Sequence, residues 1–210
     1  PLGHDVFCNG KISDANAKLV CDYLAEFAQV LKEYDVGHCK ALATAAVREA
    51  DNTEFFISRV KQASGIELDL LEPSEEGRLI FLSTSQLLRD FDPFWKSNAL
   101  IYTIGTGASQ VSVLEKGVLL NIETIRMGTL RLLEELEGPV SAQRLVETID
   151  PFVSNMVSAV MAKSDVDLRG AVLVGVGSSV RTLAKIVLNQ KKLHNFCVID
   201  KERFERVSQA

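Results

Sequence analysis

The sequence predicts an α/β fold, and three observations carry that prediction. Segments with helical spacing of apolar residues alternate with short strand-like runs along the whole chain. Two of those runs lead straight into glycine turns, Ile104-Gly105-Thr106-Gly107-Ala108-Ser109 and Val174-Gly175-Val176-Gly177-Ser178-Ser179. The 210 residues are 47% apolar and 24% charged, enough to bury a core without disulfides or structural metals.

From Ser13, which suits an N-cap, the apolar positions Leu19, Val20, Tyr23, Leu24, Phe27, Val30, Leu31 and Tyr34 recur at helical spacing and predict an amphipathic helix. Lys40 to Ala46 reads as a short buried strand. Polar residues 48–52 follow, then a helix from Thr53 to Ala63 closed by Gly65. Ile66, Leu68 and Leu70 alternate with Glu67 and Asp69, the period of a half-buried strand. Pro73 and Ser74 open another helix, with Glu75 and Glu76 in the first turn, where the helix dipole favours negative charge. The stretch from Asp90 to Ser97, with Pro93 and the single Trp95, breaks the pattern and sets the expected division into units 1–92 and 98–210.

Beyond that break, Ala99 to Ile104 reads as an apolar strand, Gln110 to Leu114 as a second, and Lys116-Gly117 as a hairpin turn into a third from Val118 to Ile125. The expected sheet therefore starts antiparallel. Thr129 to Leu136 is a helix that Gly138-Pro139 breaks, and Ser141 starts a longer one that Pro151 is expected to interrupt or kink. Ala171 to Val176 reads as a buried strand, and Val180, Leu183, Ala184, Val187 and Leu188 define a further helix.

Composition limits the partners. With 23 basic side chains against 28 acidic ones, a net charge of −5 gives no general attraction to nucleic acid or anionic membrane. Any polyanion must be held by a local cluster of donors. Cys8, Cys21, Cys39 and Cys197 are scattered, with no C-x-x-C pair and no nearby histidine spacing that would build a zinc site, and read as reduced thiols of a cytoplasmic protein. No apolar run approaches the roughly 18 residues that span a bilayer, and no export signal opens the chain. Neither a nucleic-acid nor a membrane partner is expected. Pro1 rather than Met comes first, so the chain reads as a fragment with sequence missing upstream.

The glycine turns carry the chemistry. Glycine lets the backbone approach a phosphate, and exposed N–H groups with Ser or Thr hydroxyls supply donors. The first turn also reads as a plain hairpin, because a strand follows it. The second precedes a helix, whose N-terminus favours an anion. It also matches a loose dinucleotide fingerprint with Asp200 as ribose acceptor, but too little chain follows Asp200 to build the rest of such a domain.

Five motifs in order extend the reading. Ala43-Thr44-Ala45-Ala46-Val47-Arg48-Glu49-Ala50-Asp51-Asn52 resembles the Thr-x-Ala-x-Arg-x-Ala-x-Asn signature of the exopolyphosphatase and guanosine pentaphosphate phosphatase (Ppx/GppA) family. Gly65-Ile66 and Ser74-Glu75-Glu76-Gly77-Arg78-Leu79-Ile80 are similar to its Gly-Ile and Glu-Glu-Ala-Arg-Leu elements. The turn at 105–109 stands where the family has Asp-Ile-Gly-Gly-Gly-Ser-Thr-Glu, and Met127-Gly128-Thr129-Leu130-Arg131-Leu132 resembles its Leu-Gly-Ala-Val-Arg-Leu segment. The turn at 175–179 is similar to its later phosphate loop.

The resemblance implies two actin-like (ribonuclease H-like) α/β domains around a cleft, the first truncated at its N-terminus. It also implies magnesium-dependent hydrolysis of terminal phosphates from polyphosphate or guanosine pentaphosphate. Such chemistry needs a carboxylate to orient or deprotonate water, and cations and N–H groups to hold oxygens. By this resemblance Glu76 is the catalytic carboxylate, against the plainer reading of Glu75 and Glu76 as a solvated helical turn. Arg48 contacts phosphate, against the plainer reading of a surface ion pair. Gly105, Thr106, Gly107, Ala108, Ser109, Gly177, Ser178 and Ser179 line the substrate.

Three departures weaken that expectation. Thr103 and Gln110 replace two family carboxylates at the metal site, Thr106 replaces the middle glycine, and nothing before Ser13 matches the family's opening Asp-x-Gly-Thr-Asn-Ser hairpin. Impaired hydrolysis is therefore expected, and Mg2+ binding is in doubt. The alternative is a non-catalytic member that binds a phosphorylated ligand or a protein partner. A small ATP-binding regulator of the same superfamily is a third reading, and a homodimer is among the assemblies open to it.

Overall fold

Short-range signals set the ends of most elements. The computed structural model describes residues 2–136, 141–193 and 196–208. Helix α1 (Leu2–Asn9) leads into α2 (Asp14–Glu33), which starts where Ser13 Oγ accepts from the Asn16 N–H at 3.3 Å. The Asp5 carboxylate fixes the junction, accepting from Ser13 N–H at 2.9 Å and Asn16 Nδ2 at 2.8 Å. Strand β1 (Ala41–Ala43), α3 (Ala45–Arg48), α4 (Thr53–Ser64) and β2 (Leu68–Leu70) follow. Gly65, at φ 72°, closes α4 in the left-handed region where a side chain would be strained.

β1 and β2 pair in parallel, Ala41 with Leu68, in a two-stranded sheet. Their core is built from Val6, Ile12, Ala17, Cys21, Val47, Phe56 and Val60. The strand expected over Lys40 to Ala46 is shorter and only partly buried, with Leu42 exposed, because Ala45 already begins α3. β2 likewise leaves Leu70 exposed. In α2 the inward positions are Ala17 and Cys21, while Leu19, Tyr23, Phe27, Val30 and Tyr34 stay exposed. The helix is amphipathic, but much of its bulky apolar stripe meets solvent in this chain.

Helix α5 (Pro73–Leu87) and α6 (Asp92–Lys96) precede the second sheet, so residues expected as an irregular break include a helical turn. Phe94 of α6 is fully buried beside Leu88, Ala99, Ile101 and Leu114, a core that takes in residues on both sides of the break. The strands are β3 (Ala99–Ile104), β4 (Ser109–Glu115), β5 (Val118–Ile125) and β6 (Val172–Val176), in spatial order β5-β4-β3-β6. β3–β4 and β4–β5 are antiparallel, as expected, and β3–β6 is parallel. Lys116 and Gly117, at φ 47° and 81°, make the tight hairpin turn that the right-handed strand twist favours.

Helices α7 (Thr129–Glu135), α8 (Ala142–Lys163), α9 (Ser178–Leu188) and α10 (Lys201–Ser208) complete the described chain. Met156 and Val160 of α8 cover the sheet face that carries Val111 and Val113, opposite the α5–α6 layer. Pro151 lies inside α8 without ending it, so of the expected interruption or kink the interruption does not occur. It is exposed, as is Glu147, so the carbonyl that loses its amide partner faces water. The Gly138-Pro139 break falls outside the described residues. β6 is an edge strand whose Leu173 is 69% exposed, so it is not the buried strand expected. Asp200 accepts from Arg203 N–H at 2.7 Å and starts α10, a helix-capping duty rather than a ribose contact.

The accessible surface is 13,681 Å2, well above the roughly 9,700 Å2 of a compact monomer of this mass. The exposed apolar stripe of α2 and the open edge of the small sheet contribute to that excess.

Candidate functional site

Parallel pairing of β3 with β6 places both glycine turns at the same end of the larger sheet. Thr103 pairs with Val176, so the chain leaves β3 at Gly105 and β6 at Gly177 side by side. A Cβ built on Gly177 would stand 3.6 Å from the Ile104 carbonyl oxygen. Gly177 has φ 113°, a conformation that requires glycine, and caps α9 with no side-chain acceptor. Its carbonyl takes the Arg181 N–H, leaving the first-turn N–H groups of Ser178 and Ser179 without helical acceptors. Gly177 and Ser178 are exposed. They are available to an anion.

The first turn is more tightly committed. Gly105 N–H donates to Ala108 O at 2.9 Å, and the fully buried Ser109 donates through Oγ to Met127 O at 2.6 Å. Thr129 N–H donates to Gly105 O, and the Leu130 and Arg131 N–H groups donate to Thr106 O. The N-terminus of α7 is thus spent on the turn itself. The N–H groups of Thr106, Gly107 and Ala108 donate to no carbonyl among the described residues. Of the five residues expected to line substrate here, Gly105 N–H and Ser109 Oγ hold the turn together instead of facing a ligand.

The Ala43–Asn52 motif is folded against this turn. A Cβ on Gly107 would lie 3.3 Å from Ala45 Cβ and 2.4 Å from the Phe7 ring, so α1 and α3 both press on the turn. Glu49, directly after α3, accepts from Arg131 Nη2 at 2.7 Å, and Arg131 Nε donates to Gly107 O at 3.0 Å. The same guanidinium lies 4.2 Å above the Phe7 ring. Arg126 stands 3.8 Å from Glu49 as a second cation. Glu49 and Arg131 brace the first glycine turn, a pairing that the sequence did not foretell. Each sits inside a quoted motif, and their opposite charges are the only sequence signal that they meet.

Arg48 and Glu76 come together across α3 and α5. Arg48 Nη1 is 3.9 Å from Glu76 Oε2 and also donates to Leu71 O. The side chains are 16% and 33% exposed, so this is a half-buried pair rather than a solvated one. Burial raises the Glu76 carboxyl above its ordinary value, and the Arg48 charge only partly offsets that. Glu75 behaves differently. Exposed and doubly hydrogen-bonded to Arg78 at 2.7 Å, it fits the solvated-turn reading, and that bonding lowers its pKa.

Gln110 closes the site from below. Its Nε2 donates to Pro73 O at 2.8 Å and Thr124 Oγ1 at 3.2 Å, tying β4 to the first turn of α5. Its Oε1 is buried with no hydrogen-bond partner and faces Gly77, where a Cβ would come within 3.5 Å. This donor set does not suit magnesium. The hard dication wants carboxylate and water oxygens in an open octahedron, whereas Thr103 and Gln110 are neutral and the Gln110 oxygen is shut off from solvent. Glu76, the residue before Gly77, is already opposite Arg48.

Comparison with known proteins bears on the family and the fold. The family model described as Ppx/GppA phosphatase family matches residues 2–210. Exopolyphosphatase 1 of Mycobacterium tuberculosis is 32% identical over 105 residues, covering 50% of this chain and 29% of the relative. Guanosine-5'-triphosphate,3'-diphosphate pyrophosphatase of Photobacterium profundum is 24% identical over 171 residues, covering 80% of this chain and 33% of the relative. The chain thus spans about a third of the length of these curated relatives. The crystal structure of an exopolyphosphatase from Cytophaga hutchinsonii superposes with a TM-score of 0.76 at 21% identity, covering 97% of this chain and 66% of that one. The α/β fold is shared with it. Among the described residues no helix is long and apolar enough to cross a membrane.

Proposed function

Because the chain belongs to the Ppx/GppA phosphatase family, we propose that it acts on the terminal phosphoanhydride of polyphosphate or guanosine pentaphosphate, and that it does so slowly. The observation that carries this reading is Glu76, half-buried opposite Arg48 on the α5 turn that packs against Gln110, the residue after the first glycine turn. A carboxylate whose pKa is raised by burial is a better proton acceptor than a solvated one, and can orient water toward phosphorus. The Thr106, Ala108 and Ser178–Ser179 N–H groups hold phosphate oxygens, Gly107 being buried under Phe7 and Gly128, and Arg48 offsets their charge.

Slow turnover follows from the neutral residues at 103 and 110. Charge that builds on the transferring phosphoryl group is then met by Arg48 and backbone dipoles, without a metal held by those two positions. A ligand-binding protein without turnover is the second reading, favoured by the same two residues. Isothermal titration with polyphosphate at rising salt, together with phosphate release, tests both. Affinity should fall with salt and with Arg48→Ala. Unchanged affinity in that variant would remove the assigned site, and tight binding without any phosphate release would select the second reading.

A further inference from the structure

A second cluster of reactive side chains lies where α1 meets α7, outside the proposed phosphate site. His4 and Cys8 stand four residues apart on one face of α1, and Glu134 reaches them from α7. His4 Nδ1 is 2.6 Å from Glu134 Oε1, Cys8 Sγ donates to Glu134 Oε2 at 3.0 Å, and Cys8 Sγ is 3.9 Å from His4 Nδ1. One ligand atom from each residue falls within 4.8 Å of the others.

We propose that His4, Cys8 and Glu134 form a zinc site that clamps α1 to α7. The donor set fits the metal. Thiolate, imidazole and carboxylate are the three zinc ligand types, and the soft thiolate and borderline imidazole make the set a poor match for Mg2+ and Ca2+, which take oxygen ligands. The geometry fits as well. Zinc bonds of about 2.0–2.3 Å at tetrahedral angles place ligand atoms about 3.3–3.6 Å apart, so side-chain shifts of under about 1 Å convert the hydrogen-bonded cluster into a coordinated one. The Cys8 thiol proton leaves to solvent as the sulfur–zinc bond forms, and the Glu134 oxygen that accepted it becomes free to bind the ion. Water completes the fourth position, since Cys8 and His4 are both exposed.

The position gives the clamp a consequence. Leu130 of α7 packs on Gly3 of α1, and Arg131, three residues before Glu134, holds Phe7, Gly107 and Glu49. Zinc at this junction would fix the helix pair that buttresses the first glycine turn.

The test uses the chain as it stands, freed of metal with a chelator and titrated with Co2+ and Zn2+ in turn. One equivalent of Co2+ should give the thiolate-to-cobalt charge-transfer band and tetrahedral visible bands, which one equivalent of Zn2+ abolishes. Cys8→Ser should lose the charge-transfer band, and His4→Gln should weaken Zn2+ binding at least tenfold, while Cys39→Ser and Cys197→Ser change neither. Zinc should raise the melting temperature of the parent chain and of these two controls, but not of Cys8→Ser or His4→Gln. Absence of a stoichiometric cobalt spectrum overturns the site, as does a spectrum retained in Cys8→Ser or zinc affinity unchanged in His4→Gln. None of these readouts depends on phosphate release, so the result is independent of the proposed hydrolysis.

Discussion

Arg131 Nη2 donates to Glu49 Oε2 at 2.7 Å, joining helix α7 of the larger sheet to the segment after α3 that packs on the smaller one. The pair is largely withdrawn from solvent, with the Arg131 side chain 23% and the Glu49 side chain 14% exposed. Arg131 also donates to Gly107 O and stacks on Phe7, so one guanidinium serves three elements. Such planar, multi-donor duty suits arginine and not lysine.

Replacing either partner should therefore cost stability. Arg131→Met and Glu49→Gln should each lower unfolding stability by about 1–3 kcal/mol, and the double variant should lose less than the sum. Urea denaturation in a double-mutant cycle measures this. Additive losses would show that the two residues act independently.

Gly128→Ala is expected to be worse than its size suggests. The added Cβ would stand 2.4 Å from the Thr106 carbonyl carbon and oxygen and 2.5 Å from Gly107 N, all backbone atoms that cannot rotate away. Overpacking of this kind costs about 1–3 kcal/mol or more, and the glycine turn should shift. A lower denaturation midpoint together with weaker polyphosphate binding is the expected outcome.

Gln110→Glu, the substitution that restores a family carboxylate, should destabilise the fold when made alone. It removes the two hydrogen bonds donated by Nε2 and puts a carboxylate against the Pro73 carbonyl in a position only 6% exposed. A loss of about 3 kcal/mol is expected, recovered in part at low pH as the carboxyl protonates. Thermal melts at two pH values check it.

Much of the fold was readable because its signals are local. The Ser13 cap, the Gly65 closure, the Pro73 start and the Lys116-Gly117 turn each act within a few residues, and all four stand where the sequence placed them. Burial was less legible, since it depends on what lies opposite. Leu19, Tyr23 and Phe27 have the spacing of a buried face, yet α2 turns Ala17 and Cys21 inward. At the site, Glu76 and Arg48 were found through motif resemblance. Their meeting at 3.9 Å, the Glu49–Arg131 tie and the approach of Glu134 to the His4–Cys8 pair join residues far apart in sequence, which no periodicity encodes.

The sign of the Glu76 pH dependence follows from its environment. Its folded pKa is raised by burial, so its contribution to stability is present in full below the ordinary glutamate value and is lost as pH rises through the raised one. Glu76→Gln, which stays neutral, should gain stability relative to the parent chain across that same interval. A difference that does not change with pH would mean that Glu76 titrates like a solvated glutamate.

Phosphate release from polyphosphate by the parent chain and by Glu76→Gln tests the central claim most directly. The account predicts slow release by the parent chain, an acid limb that turns down above the ordinary glutamate range, and a fall of about a hundredfold in the variant. Release by Glu76→Gln at the parent rate, with the same pH profile, would contradict it.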